Sequence, residues 1–582
     1  FFNNPSYLAV FMLFSIGMAG ILWASIKKEH QKWANFVIGG LILFFLATFV
    51  FTQTRGAYLG LAVGFLLFTL LLLACLRREK KKLTLGAIGV STLILISIGS
   101  IFVFKGSGFI TGNQILNRIA VVSDLTNLGA ARERYLGWII AFESFKDRPL
   151  FGWGPENYDI AFNEHYNYLA AKDEPWFDSS HNQLMDVLAE GGIVGLSLYL
   201  FWIGTIFYTV RKLLKRGTKD KLIGAIIAGT YLGFLIQGWF LFDTFPMYLG
   251  LFPLLGFAYF RYEDTGSDVE EEAVANRRSL RGPWFYILAV LLLILIPFLI
   301  FKNVWQPFQA NHLIINFNQS LYAGSYKGAA NYLETASGIN SPYTNFDVGN
   351  QTGWIFLYFL DNQIPAKNKE IVRGIWQQVV AREEKSLGIR PLDPQAYYVL
   401  GRLYRRGYDR FNDPDSLARA EAVLKEGREL SYDRVEYVYE LVDVLLAEGK
   451  IDEADRVIEE YASRIPSPYS HVIKARFYFL EKKYDLAAKS YKQAEAAGYP
   501  FWSEDNDYAY FMAAAENLKD YQTVLRVSRE YISRRGPTAV AYFNQAAASY
   551  YLGEKGEARK AYLKAVNLDR SYEQYASFFT SQ

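Results

Sequence analysis

Cysteine is all but missing from this sequence: Cys75 is the only one in 582 residues. A single thiol inside an apolar run closes no disulfide within the chain, so the polar second half has to rest on its own packed core. It also excludes a thiol nucleophile and a cysteine-ligated metal. Histidine is scarce too, with five copies, and no two of them stand at the close spacing of metal ligands. No metal and no cofactor is expected. Charged residues make up 20% and nearly cancel, leaving a net charge of +3. That balance gives no reason to expect a nucleic acid or another polyanion as partner.

What the chain has in excess is apolar surface, with 51% hydrophobic and 17% aromatic residues gathered mainly in the first half. Runs of about 17 to 25 apolar residues are long enough to cross a hydrocarbon core. Eight are found, near 7–26, 33–51, 57–76, 84–104, 184–210, 222–242, 246–260 and 284–301, with 246–260 the weakest. The reading is therefore all-α, a polytopic membrane bundle over 1–301 followed by a second domain over 302–582. Phe1 is no start residue, and Asn3-Asn4-Pro5 reads as a loop entering a helix rather than as a signal peptide, so earlier spans are expected.

Orientation follows from lysine and arginine in the short loops, because these resist translocation. Lys27, Lys28 and Lys32 mark one loop, and Arg77, Arg78 and Lys80 to Lys82 the next alternate one. Arg211, Lys212, Lys215, Arg216, Lys219 and Lys221 mark a third, and Arg261, Arg277, Arg278 and Arg281 a fourth. Threading eight spans puts all four on one side, read as the cytoplasm. The hairpin at 52–56, the long loop 105–183, the turn from Asp243 to Phe245 and everything after 301 then lie outside.

The second domain carries an internal repeat. Ala475, Tyr478, Ala487, Tyr491 and Ala494 align with Tyr542, Ala546, Ala558, Tyr562 and Ala565, about two repeat periods on. An earlier copy has Gly449, Ala454 and Pro466, and less regular ones fall at 326–340 and 412–430. Small residues at such turns let paired helices approach, and an aromatic fills the gap between hairpins. The pattern resembles tetratricopeptide repeats and predicts an extracytoplasmic α-solenoid. A nonrepeating helical domain is the plainer alternative, since alanine-rich amphipathic helices imitate the pattern.

Three places in the outer loops could carry chemistry. Arg55 lies in Thr52-Gln53-Thr54-Arg55-Gly56-Ala57, a hairpin too short to leave the membrane surface. A cation held there runs against the charge bias and marks a functional position, or else snorkels to lipid headgroups. Arg132 and Arg134 sit in an amphipathic helical stretch ahead of the Gly- and Pro-rich turn from Asp147 to Tyr158. Arginine forks match phosphate oxygens and can neutralise a departing diphosphate without a metal, although pairing with Glu133, Glu143 or Asp147 on a wet face is the ordinary fate of such residues. Arg148 reads as structural. His181 opens a membrane helix beside Asn182, where an imidazole can accept a proton from a sugar hydroxyl and Asn182 can orient the ring or a substrate. Glu190 lies inside the apolar run that follows and either pairs with an arginine or faces a wet cavity.

Taken in order, these segments resemble the superfamily of O-antigen ligases and polymerases, membrane glycosyltransferases that use undecaprenyl-diphosphate glycans. The resemblance rests on Thr54-Arg55-Gly56-Ala57-Tyr58-Leu59-Gly60, on Arg134 to Trp138 with Pro149 to Asn157, and on His181-Asn182 with Glu190-Gly191-Gly192-Ile193-Val194-Gly195. It covers about residues 1–260 and departs from the family in lacking the N-terminal membrane region. It implies a metal-independent, inverting transfer at the outer face. Arg55 and Arg134, with Arg132 in reserve, would clamp the donor diphosphate; His181 would activate the acceptor, and Asn182 and Glu190 would support it. The acceptor is a glycan, lipid or protein, membrane lipids surround the site, and an envelope protein is an expected partner of the repeat domain. A polymerase of the same superfamily, a noncatalytic membrane-anchored scaffold and a flippase-like transporter are the alternatives.

Overall fold

A computed structural model describes residues 4–26, 28–113, 116–117, 120, 129–167, 176–263, 283–342, 344–360, 366–501 and 504–580. All regular elements among them are helices. The chain divides into two compact units, Phe1–Pro307 with Leu392–Pro394, and Phe308–Pro391 with Gln395–Gln582.

The first unit is built from α1 (Pro5–Ser25), α2 (Gln31–Phe51), α3 (Arg55–Cys75), α4 (Lys81–Val103), α5 (Gly108–Thr111), α6 (Gly129–Asp147), α7 (Tyr158–Glu164), α8 (Gln183–Leu213), α9 (Thr218–Gln237), α10 (Phe245–Glu263) and α11 (Pro283–Ile300). Seven helices among the described residues are long and apolar enough to cross a membrane: α1 to α4, α8, α9 and the run Tyr286–Tyr322. The eighth expected span, 246–260, is a helix but does not join them. Its tyrosines, two prolines and Arg261 dilute its apolar character, while Met247, Leu251 and Leu254 still pack into the shared core. By contrast α11 exposes Leu291, Leu293, Ile294 and Phe298. An apolar helix bare on all sides is untenable in water and ordinary in lipid.

The core is set by glycine. On α3, Gly60 and Gly64 meet Gly233 and Gly229 of the antiparallel α9 so closely that a Cβ on Gly64 would stand 2.2 Å from the Gly229 carbonyl oxygen, and one on Gly60 2.4 Å from that of Gly233. Small residues four apart on both partners let the backbones themselves touch, the packing that replaces the hydrophobic drive inside a membrane. Helix α1 lies antiparallel to α9 as well, Gly17 against Thr230 and Gly20 against Ile226.

These directions bring the starts of α1, α3, α8 and α10 to the end of the bundle where α9 finishes. The hairpin 52–54, the described residues between 104 and 182 and the turn 238–244 sit at that end. The opposite end gathers the basic loops and stitches them together: Lys221 pairs with Glu79 at 2.8 Å, Lys219 donates to the Ser25 carbonyl at 3.1 Å, and Arg216 donates to the carbonyls of Arg261 and Tyr262 at 2.6 Å each. Lys27, Arg277, Arg278 and Arg281 of the charge argument lie outside the described residues.

One device holds the polar chain to the bundle. Helix α8 breaks at Gly192, whose φ of 61° and ψ of −161° belong to a region open only to glycine. The break frees the carbonyls of Ala189 and Glu190 and the amides of Ile193 and Val194, and the turn 149–154 satisfies all four. Trp153 and Gly154 donate to Ala189 and Glu190 at 3.0 and 2.8 Å, while Ile193 and Val194 donate to Pro149 and Leu150 at 2.8 and 3.2 Å. The loop thus stands in for the missing turn of helix, which is how a kink avoids orphaned backbone groups. Gly152, at φ 66°, completes the fit. A Cβ there would stand 2.3 Å from the Glu190 carbonyl carbon, and one on Gly192 would stand 2.5 Å from that of Leu150.

The second unit is a succession of antiparallel helix pairs, with first members that include Val435–Ala447, Pro468–Leu480, Asp505–Asn517 and Ala539–Tyr551. Ala475, Ala487, Tyr491 and Ala494 are buried, as are Ala546, Ala558, Tyr562 and Ala565. Ion pairs link one pair to the next: Arg402 to Glu440 at 3.0 Å, Arg405 to Asp443 at 2.6 Å and Arg476 to Asp507 at 2.6 Å.

The clasp makes a sharp distinction between two neighbouring glycines. Gly191→Ala meets no atom within 4 Å and is expected to leave the thermal midpoint of detergent-purified protein in place. Gly192→Ala forces a forbidden dihedral, at a cost of about 1–3 kcal/mol before any clash, and is expected to lower the midpoint by several degrees. Equal midpoints for the two variants would refute the clasp.

Candidate functional site

His181 is built into a tight turn ahead of α8. Its φ of 55° is left-handed, a conformation that costs a side-chain-bearing residue on the order of 1 kcal/mol. The turn retains it because the His181 amide donates to Ser179 Oγ at 2.9 Å and the ring stands between Phe177 and Phe242, at centroid distances of 5.7 and 5.8 Å. The side chain is half-buried. Asn182 caps the helix: its Oδ1 accepts from the amides of Leu184 and Met185 at 3.0 and 3.4 Å, and the residue is 1% exposed. That oxygen is engaged by the helix start, so Asn182 fixes where α8 begins, directly after His181.

Neighbouring contacts locate the arginines. Arg55 is the first residue of α3 and is exposed. Gly56 lies against α9's last turn, where a Cβ would stand 2.5 Å from Gln237 Oε1, and the Gln183 amide donates to the Gly238 carbonyl at 2.8 Å. The start of α3 and the start of α8 are thus fastened to the same few residues. Arg134 and Arg132 are exposed on α6. Three residues after Arg134, on the same helix face, Gly137 lies against Ser180, with a Cβ position 3.8 Å from the Ser180 carbonyl oxygen. Two carboxylates that might have occupied these arginines have other partners: Glu143 pairs with Lys146 at 2.7 Å and Asp147 with His165 at 2.5 Å. Arg148 stacks on Trp153, 4.0 Å from the ring centroid, in keeping with a structural part.

Glu190 takes neither of its two expected settings. Its carboxyl faces the backbone amides of Glu156 and Tyr158 at the start of α7. Together with the clasp this ties the turn 149–158 to the middle of α8's first half. Helix α7 is fixed to α6 in turn: Tyr158 Oη donates to the Gly137 carbonyl at 2.8 Å and Ser144 Oγ to that of Ala161 at 3.2 Å. Burial, reinforced by nearby Asp186, pushes the Tyr158 hydroxyl well above its ordinary pKa, so it stays a donor.

Sequence reasoning passed over the acidic residues of this end. Asp243, in the turn after α9, has its carboxyl pushed up to about 7 by burial, against the opposing hydrogen bond from Tyr248 and with a smaller push from Asp186. Its amide donates to Gln183 Oε1 at 2.6 Å. Asp186, in the first turn of α8, is 6% exposed. An aspartate in an apolar run announces burial only through its helical spacing from His181, which was too little to single it out. No group of three or more His, Cys, Asp or Glu among the described residues has the arrangement of a metal site.

The arrangement can hold an anion: exposed guanidinium groups stand at the end of the bundle where several helices begin and direct their positive dipole ends. It also offers an imidazole in a fixed pose at the same end of the bundle. No curated protein matches the chain. Residues 40–200, which run from within α2 through Arg55, Arg134 and His181 to beyond the Gly192 break, match the family model described as O-antigen ligase. That match supports placing this stretch of a multi-pass helical protein in the O-antigen ligase superfamily.

Proposed function

We propose that this protein transfers a glycan from an undecaprenyl-diphosphate donor to an acceptor hydroxyl or amide at the outer face of a bacterial cytoplasmic membrane, as an O-antigen ligase-like glycosyltransferase. The observation that carries the reading is the fastening of Arg55, the Arg134 helix and the His181 turn to one end of the bundle, within the residues that match the ligase family. Arg55 and Arg134, with Arg132 beside them, clamp the diphosphate. Negative charge grows on the departing diphosphate during transfer, and cations already in place stabilise that charge most. His181 takes the acceptor proton as the new glycosidic bond forms, and the C–O bond to the diphosphate breaks with its electron pair leaving on the phosphate oxygen. Asn182 and Glu190 act one step back, by fixing the start of α8 and the turn that faces it.

The paired helices of the second unit form a tetratricopeptide-like solenoid outside the cytoplasm. A broad recognition surface of that kind suits a ligase, which must find a separate acceptor, better than a polymerase, whose acceptor is another lipid-linked repeat unit. Membrane lipids and a lipid, glycan or protein acceptor are the partners this reading requires, with an envelope protein as a further one.

Three measurements test it. Purified protein given donor and acceptor releases undecaprenyl diphosphate; with Arg55→Lys or Arg134→Lys, kcat/KM for donor falls by the worth of one charge-assisted fork, about 1.5–3 kcal/mol, and parental turnover in both at subsaturating donor removes the clamp. His181→Ala, well folded, loses about 100- to 10,000-fold in transfer while donor affinity changes little. Equal losses in binding and turnover would recast His181 as a donor ligand. Protease added to intact spheroplasts removes the helical domain after residue 301; digestion only in inverted vesicles reverses the topology.

A further inference from the structure

His181 holds its left-handed conformation only because the surrounding turn is tied down, and the tie at its centre is a buried carboxylate. Asp186 accepts the Ser180 amide hydrogen on Oδ1 at 2.7 Å, while its own amide donates to the Asn182 carbonyl at 2.9 Å. The residue thus bridges both sides of His181. It does so from one helical turn inside α8, on the face that also carries Asn182. Its Oδ2 has no hydrogen-bond partner among the described residues. A carboxylate buried with one oxygen unsatisfied is an expensive way to fill that volume, since an apolar side chain would fit without desolvating a charge. What an apolar side chain cannot supply is an acceptor for the Ser180 amide.

We infer that Asp186 is a positioning residue, whose buried carboxylate locks the Ser179–Asn182 backbone in the conformation that aims the His181 ring. The inference rests on the assignment of His181 as the base in the proposed transfer. Asp186 touches neither donor nor acceptor in this account and acts through the turn that holds His181.

The test uses the full-length protein in detergent or nanodiscs, with Asp186→Ala and Asp186→Asn each made alone and in a His181→Ala background. Asp186→Ala is expected to lower kcat for transfer about 10- to 100-fold, the effect of a misplaced catalytic group, with donor affinity within about twofold of the parent on the same scale. Asp186→Asn, which keeps an acceptor oxygen, is expected to recover most of that loss. In the His181→Ala background Asp186→Ala should cost nothing further, because the group it aims is gone. Hydrogen exchange of a peptide spanning 178–182 reads the lock without activity: exchange should quicken about tenfold in Asp186→Ala and stay near parental in Asp186→Asn. Parental exchange and turnover in Asp186→Ala would overturn the inference. So would an equal loss in both backgrounds, which marks a general structural role, or an asparagine variant as impaired as the alanine one, which would make charge the point. A parent protein that transfers no glycan would sink the functional reading instead, and the exchange experiment would still decide whether Asp186 holds the turn.

Discussion

Everything at the polar end of the bundle depends on the exchange of four backbone hydrogen bonds between the turn 149–154 and the broken helix at 189–194. A helix interior has no vacancies for outside partners, because each amide is already matched to a carbonyl four residues back. Only by breaking the helix at Gly192 can α8 accept the loop as a replacement turn, and only two glycines allow the backbones to come close enough. The clasp fixes Trp153, on which Arg148 stacks, and the start of α7, which Glu190 faces. From there it reaches α6 and its arginines. A polar turn is thereby held in register with an apolar helix long enough to cross a membrane.

Glycine does a second job in the same unit, by a different mechanism. Gly60, Gly64, Gly229 and Gly233 are helical, so their value lies in the missing side chain and not in dihedral freedom. Bringing α3 and α9 into backbone contact fixes the relative height of their ends, and those ends carry Arg55 and the residues that fasten the His181 turn. The precision available to a site of this kind comes from rigid helices in contact more than from the loops between them.

Much of this was legible from residues alone, for definite reasons. Helices long enough to span a membrane announce themselves by uninterrupted apolar length, and seven of the eight runs met that description; 246–260 fell short because tyrosine and proline thin its apolar character while packing still keeps it helical. The stretch resembling O-antigen ligases was found through short blocks around Arg55, Arg134 and His181, and the family match covers all three. What stayed hidden was the purpose of those blocks. Gly191-Gly192 looked like part of an apolar helix, and Gly152 like one of several turn glycines; their partnership joins positions forty residues apart and leaves no trace in composition or periodicity. Glu190 invited pairing with a distant arginine because a lone sequence shows charges and cannot show free amides at the start of a seven-residue helix. Asp186 and Asp243 were passed over for the same reason, since burial is a property of the packed chain.

The bare flanks of α11, together with the exposed sides of α2 and α4, make the bilayer a structural component of this protein. These helices draw much of their packing from acyl chains, so the molecule has no single intrinsic stability to be measured apart from its solvent. Thickness, tail saturation and headgroup charge become terms in its folding equilibrium, much as ionic strength is for a protein held by surface charge. A cell that remodels its lipids therefore alters the protein's scaffold without touching its gene.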